Sequence, residues 1–125
     1  MPSSSPIWVL LVDDSDLLAA SLALVFEALD DIELLAVARS GQEALNICAH
    51  FLPDVVLMDV MLPDMSGIEV THRLRHLYPD IPVVFLSNYA QDDIIEDAYH
   101  AGARDFLVKN ISIDDIADAV RRASM

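Results

Sequence analysis

The stretch Ile7-Trp8-Val9-Leu10-Leu11-Val12-Asp13-Asp14 is six apolar residues stopped by two acidic ones. It lacks polar alternation and is too short to span a membrane, which is the pattern of a strand covered on both faces in a parallel sheet. Similar short runs recur at 55–58, 81–86 and 106–108, with a weaker one at 34–38. Helical spacing fills the gaps: Leu18, Leu22, Val25, Phe26 and Leu29 follow the first run, and Ile68, Leu74 and Leu77 follow the third. Ser40-x-x-Glu43 and Ser66-x-x-Glu69 fit capping boxes, and Ser112-x-x-Asp115 is a looser relative. Gly102, after 94–101, stands where a helix C-terminus calls for positive φ. Strands and helices in such alternation predict an α/β fold, a doubly wound parallel sheet of five strands with right-handed crossovers.

The chain has 125 residues, 21 of them Asp or Glu against 7 Lys or Arg, for a net charge of −14. That length suits one domain, expected over residues 7–125 behind a short N-terminal tail, 1–6. Hydrophobic residues make up 54% of the chain, so it is a packed globule with a charged surface rather than an acidic disordered tail. Phosphate backbones and anionic lipid would repel it, so neither nucleic acid nor a membrane is expected as its partner. The single Cys48 excludes an internal disulfide and a cysteine zinc cage. With no basic start of a secretory signal at residues 1–6, the expected location is the cytoplasm.

What ends each strand carries the chemistry. The first runs into Asp13-Asp14, the third into Asp59, the fourth into Ser87 and the fifth into Lys109. In open parallel sheets ligands bind outside the carboxyl ends of the strands, so these five side chains are expected to meet. Three close carboxylates need a positive partner, and two are on offer: Lys109, and a hard divalent cation held by oxygen, with Mg2+ preferred and Mn2+ an alternative. Metal, carboxylate, hydroxyl and ammonium together suit phosphoryl transfer to an aspartate. Asp13 and Asp14 are placed for the metal, Met61 for a main-chain oxygen ligand, and Asp59 for the nucleophile.

These residues resemble the receiver domain of two-component response regulators. The likeness rests on Leu10-Leu11-Val12-Asp13-Asp14, on Asp54-Val-Val-Leu-Met-Asp59-Val-Met-Leu-Pro63-Asp-Met-Ser-Gly67, on Ser87, and on Ala101-Gly-Ala-Arg-Asp-Phe106-Leu-Val-Lys109. It implies a flavodoxin-like (βα)5 fold with strand order 2-1-3-4-5. It also implies that Asp59 accepts a phosphoryl group from a sensor histidine kinase or phosphotransfer protein, with Asp13 and Asp14 holding Mg2+ and Lys109 touching the phosphoryl group. Ser87 and Phe106 would then act as the switch pair, in a signalling protein rather than an enzyme. The output would be a surface of the fourth helix, last strand and last helix, which Ile94, Ile95, Tyr99, Ile113 and Ile116 compose or underlie, and it would face an output domain, a target protein or a second copy. Asp31-Ile-Glu-Leu-Leu-Ala and Pro79-Asp-Ile-Pro are similar to receivers that precede helix-turn-helix output domains. Asn110 follows the lysine where many members carry proline. Met61, Asn88 and Tyr89 are bulky for their positions, and we expect them to shield the phosphoryl group from water.

Two other readings stay open on sequence alone. Asp14-x-Asp16 resembles the nucleophile motif of haloacid-dehalogenase-like phosphatases, and a degenerate receiver would bind partners without phosphorylation. His50, His72, His76 and His100 are scattered without a metal-ligand arrangement and read as surface or boundary residues, and the five methionines form no stripe. Trp8 is placed about 17 Å from Asp13 at ~3.3 Å per residue, too far to report on the site.

Overall fold

The computed structural model describes residues 5–125, so most of the proposed tail and Met1 lie outside the described residues. Strands β1 (Ile7–Val12), β2 (Ile32–Ala38), β3 (Val55–Asp59), β4 (Val83–Ser87) and β5 (Asp105–Val108) alternate with helices. These are α1 (Asp16–Glu27), α2 (Gly41–His50), α3 (Gly67–Leu77), α4 (Asp92–His100) and α5 (Ile113–Ala123). All strand pairs are parallel, in the order β2-β1-β3-β4-β5. This is the topology expected from the alternation.

Apolar side chains on both faces of the central strands account for the two helical layers. Val9, Leu11, Val55, Leu57, Val84 and Leu86 point to one side, where Leu22 and Phe26 of α1 and Ile116 and Val120 of α5 cover them. Leu10, Val12, Val56, Met58, Val83 and Phe85 point to the other, against Ala44 and Cys48 of α2, Val70 and Leu74 of α3 and Ala98 of α4. Period-two geometry divides a continuous apolar run equally between two cores.

Local signals differ from expectation in several places. β2 begins two residues early, because buried Ile32 pairs with Ile7 and exposed Glu33 only interrupts the apolar run. β4 starts at Val83, since the Ile81 amide is bonded to Tyr78 O in a turn and Pro82 has no amide to give. Leu77 ends the α3 stripe at 60% exposure, past the covering elements. The capping boxes are half formed. Ser40 Oγ accepts from Glu43 N, but Glu43 reaches back to Arg39 N, and Ser66 Oγ accepts from Ile68 N while Glu69 turns to Arg73. Ser112 Oγ accepts from Asp115 N. α4 closes on Gly102 at φ +111, with Gly102 N and Ala103 N donating to Tyr99 O and Ala98 O, a Schellman ending.

Candidate functional site

The parallel ladder delivers each predicted side chain to one edge. Asp13 N donates to Ala38 O and Lys109 N to Ser87 O, so the sheet holds the backbone at the mouth of the site. Ser15, which the sequence reading passed over, caps α1 by accepting from Leu18 N, and its own amide donates to Asp13 Oδ1 at 2.9 Å. A hydroxyl residue before an apolar helical run was the available signal.

A cleft of about 300 Å³ is lined by Asp13, Asp14, Ser15, Asp59, Met61, Ser87, Asn88, Tyr89 and Lys109. Asp13, Asp59 and Ser87 are buried, whereas Asp14, Met61, Asn88 and Tyr89 are exposed. Lys109 Nζ lies 2.7 Å from Asp13 Oδ2 and 3.3 Å from Asp59 Oδ2, bridging the two carboxylates. Asp59 Oδ1 accepts from Met61 N at 3.3 Å, and Ser87 Oγ accepts from Tyr89 N at 3.1 Å. Burial, then the charge of Asp13, pushes the Asp59 carboxyl above the ordinary aspartate value, while Lys109 pulls against them. Burial works against the Lys109 charge, but the close ion pair with Asp13, with Asp59 adding, holds its ammonium above the usual lysine value.

The donor set fits a hard cation. One carboxylate oxygen from each of Asp13, Asp14 and Asp59 falls within 4.8 Å of the others. Asp13 Oδ2 is buried and, despite the nearby ammonium, receives no well-directed hydrogen bond from a described residue. Oxygen donors, two of them buried and one open to solvent, match the preference of Mg2+ for few protein ligands and retained water.

Phe106 stands apart from the cleft, half-buried and stacked on Phe85 with ring centroids 6.0 Å apart. Ile116 is buried in the α1/α5 core, Ile94, Ile95 and Ile113 are half-buried, and Tyr99 is exposed. The four histidines are all exposed, as read from sequence. The sequence reading missed two supports behind the cleft. Gly67 N donates to Val60 O at 2.7 Å, and a Cβ at Gly67 would sit 1.9 Å from Asp59 O. Asp64, in the same loop, accepts from Gly41 N and Gln42 N and so caps α2. Among the described residues no helix is long and apolar enough to cross a membrane.

The profile of the response regulator receiver domain matches residues 9–121, which span all five strands and reach into α5. This chain belongs to the response regulator receiver family. The receiver is 36% identical over 116 residues to the transcriptional regulatory protein LiaR of Bacillus subtilis, covering 93% of this chain and 55% of LiaR. It is 32% identical over 117 residues to the response regulator protein VraR of Staphylococcus saprophyticus, covering 94% of this chain and 56% of VraR. The receiver thus spans a little over half the length of these relatives. Among solved structures, the signal receiver domain of a NarL response regulator from Mycobacterium tuberculosis superposes with a TM-score of 0.91 at 26% identity, covering 97% of this chain and 98% of that one. Two-component signalling is the setting of the family, and the receiver is a signalling protein within it.

Proposed function

We propose that the receiver, taken as residues 7–125, is switched by phosphorylation of Asp59 in a Mg2+-dependent reaction. The observation that carries this is the bridge of Lys109 between Asp13 and Asp59 beside a third carboxylate, at the mouth of a parallel sheet. Asp13, Asp14 and Asp59, with the main-chain oxygen of Met61, would hold Mg2+ or Mn2+. The ion, when bound, supplies positive charge against the oxygens of the incoming phosphoryl group.

The chain's own residues account for the rest. An Asp59 carboxylate oxygen attacks phosphorus of a phosphohistidine on a sensor kinase or phosphotransfer protein, forming an O–P bond as the N–P bond breaks. The bonding pair stays on the imidazole nitrogen, which then takes up a proton. Lys109 keeps its charge throughout and turns from the carboxylates to the transferred oxygens. Ser87 Oγ, now only accepting, has a hydroxyl proton to donate to one of them. Drawing Ser87 inward frees space beside β4, and Phe106 moves into it, which changes the face of α4, β5 and α5. The two packings coexist, and the added charge of about −1.5 to −2 shifts their populations. That face would meet an output domain, a target or a second copy. Likeness to LiaR supports a place as the regulatory part of a DNA-binding regulator in the cytoplasm, the receiver itself making no nucleic-acid contact. Met61, Asn88 and Tyr89 rim the cleft and would screen the phosphoryl group from water.

The test is intact mass after incubation with Mg2+ and acetyl phosphate. One phosphoryl adduct is expected, lost in Asp59→Asn and in chelator. An adduct that survives Asp59→Asn overturns the assignment.

A further inference from the structure

Outside the acidic cleft, α3 carries a second group of metal-ligating side chains. Glu69, His72 and His76 stand at i, i+3 and i+7, and at 3.6 residues per turn they share one stripe. Val70, Thr71 and Leu74 occupy the opposite side and are fully buried, so the stripe faces solvent. A groove runs along each flank. Glu69 and His72 line one with Asp97 and His100 of α4, and His72 and His76 line the other with Leu45 of α2. His50 is engaged by Asn46 O at 3.0 Å, whereas neither His72 nor His76 makes a hydrogen bond or ion pair with a described residue.

We propose that Glu69, His72 and His76 form a site for a borderline-soft divalent cation of the zinc, nickel or copper class, separate from the hard-cation cleft at Asp59. Two histidines at i and i+4 on one helix face bring two imidazole nitrogens to a single ion. Imidazole favours these metals, whereas carboxylates and water suit Mg2+. Glu69 provides the third ligand by leaving Arg73, to which it is now paired at 3.1 Å. That pair is exposed and weak, so the exchange costs little. Solvent, or His100 across the groove, completes the set.

The α3 ligands are not pre-assembled, since among the described residues only Asp13, Asp14 and Asp59 already have ligand atoms within 4.8 Å of one another. The helix fixes the backbone spacing, and the remaining adjustment is rotamer change of exposed side chains, a ps–ns event. The net charge of −14 raises the local concentration of cations, with Arg73 acting against it.

The experiment is calorimetric titration of the chelator-treated chain with Zn2+ in millimolar Mg2+, which keeps the acidic cleft in competition, followed by imidazole NMR. One ion per chain is expected, bound more tightly than about 0.1 mM, with shifts at His72 and His76 but not at His50. His72→Ala or His76→Ala should each weaken binding by at least about tenfold, the scale on which loss of a supporting group already acts at metal sites. Glu69→Gln should weaken it by less, and Asp14→Asn should leave it unchanged. Parent-like binding by either histidine variant, or loss of binding in Asp14→Asn, overturns the proposal. Unaltered binding by Glu69→Gln likewise overturns the three-residue site.

Discussion

Replacing Gly67 by alanine tests how tightly the phosphoacceptor strand is braced. The new Cβ would lie 1.9 Å from Asp59 O, 2.9 Å from Asp59 C and 2.9 Å from Met58 Cγ, where ordinary contact begins at 3.4 Å. The nearest obstacle is backbone, so no rotamer change relieves it. Overpacking costs about 1–3 kcal/mol, and a rigid obstacle places this site at the upper end. Withdrawal of the helix start would also forfeit the Gly67 N to Val60 O hydrogen bond, roughly another 1 kcal/mol. The expected loss is then about 3–4 kcal/mol, or a fall of about 1.5–2 M in the urea midpoint at an m-value of about 2 kcal/mol/M. Phosphorylation by acetyl phosphate, followed by mass, should slow as well, by up to about 100-fold, because the shifted carbonyl belongs to Asp59 itself. Gly102→Ala is the control. Its φ of +111 is strained for alanine and costs about 1–2 kcal/mol, but its nearest neighbour is the flexible Arg75 side chain, away from the cleft, so phosphorylation should match the parent. A Gly67→Ala protein within about 0.5 kcal/mol of the parent and phosphorylated at the parent rate would refute the reasoning.

Other consequences are open to measurement. Lys109→Met leaves Asp13 and Asp59 facing each other without their cation, and urea melts should show a loss of about 3 kcal/mol that added Mg2+ partly restores; an unchanged midpoint without Mg2+ would contradict this. The Asp64 carboxyl is held below the ordinary aspartate value by the amides of Gln42 and then Gly41. That depressed value means its stabilisation is complete above the unfolded pKa and is lost as pH falls through the folded one, so the destabilisation by Asp64→Ala at neutral pH should vanish in acid. Burial pushes the Cys48 thiol up to about 11, so it should react with an aromatic disulfide at pH 8 only on unfolding, and fast reaction in the native state would refute its burial. If Met61 and Tyr89 screen the phosphoryl group, Met61→Asn with Tyr89→Glu should shorten its lifetime in Mg2+; a half-life of seconds in the parent that the pair leaves unchanged argues against screening.

The layered sheet and its strand order follow from runs such as 7–12 and 55–58, which had no other place than a doubly covered strand. The polar residues of the cleft were legible for a related reason, since each interrupts an apolar run where the strand emerges from the core. What escaped reading depends on contacts between distant segments. Nothing near Gly67 in sequence shows that Asp59 O will lie against it, and nothing near Asp64 shows that the α2 amides lack a partner. The Glu69 and Glu43 side chains had competing basic or amide partners, so local capping spacing did not decide where they went. The four histidines show no metal-ligand arrangement in the sequence taken alone, and the shared stripe of His72 and His76 emerges only with the bounds of α3.

The order β2-β1-β3-β4-β5 also bears on how the chain is made. β1 leaves the ribosome first yet ends with partners on both sides, and its β3 partners, such as Val55 opposite Val9, lie far along the chain. After β3, each newly synthesised strand adds to the same growing margin, β4 on β3 and β5 on β4. Until β5 docks, that margin is β4, whose five residues are all buried in the finished fold. The interval between synthesis of β4 and of β5 is therefore one in which the nascent chain is open to mispairing with another strand. β5, half-buried at every position, is a safer strand to leave at the edge.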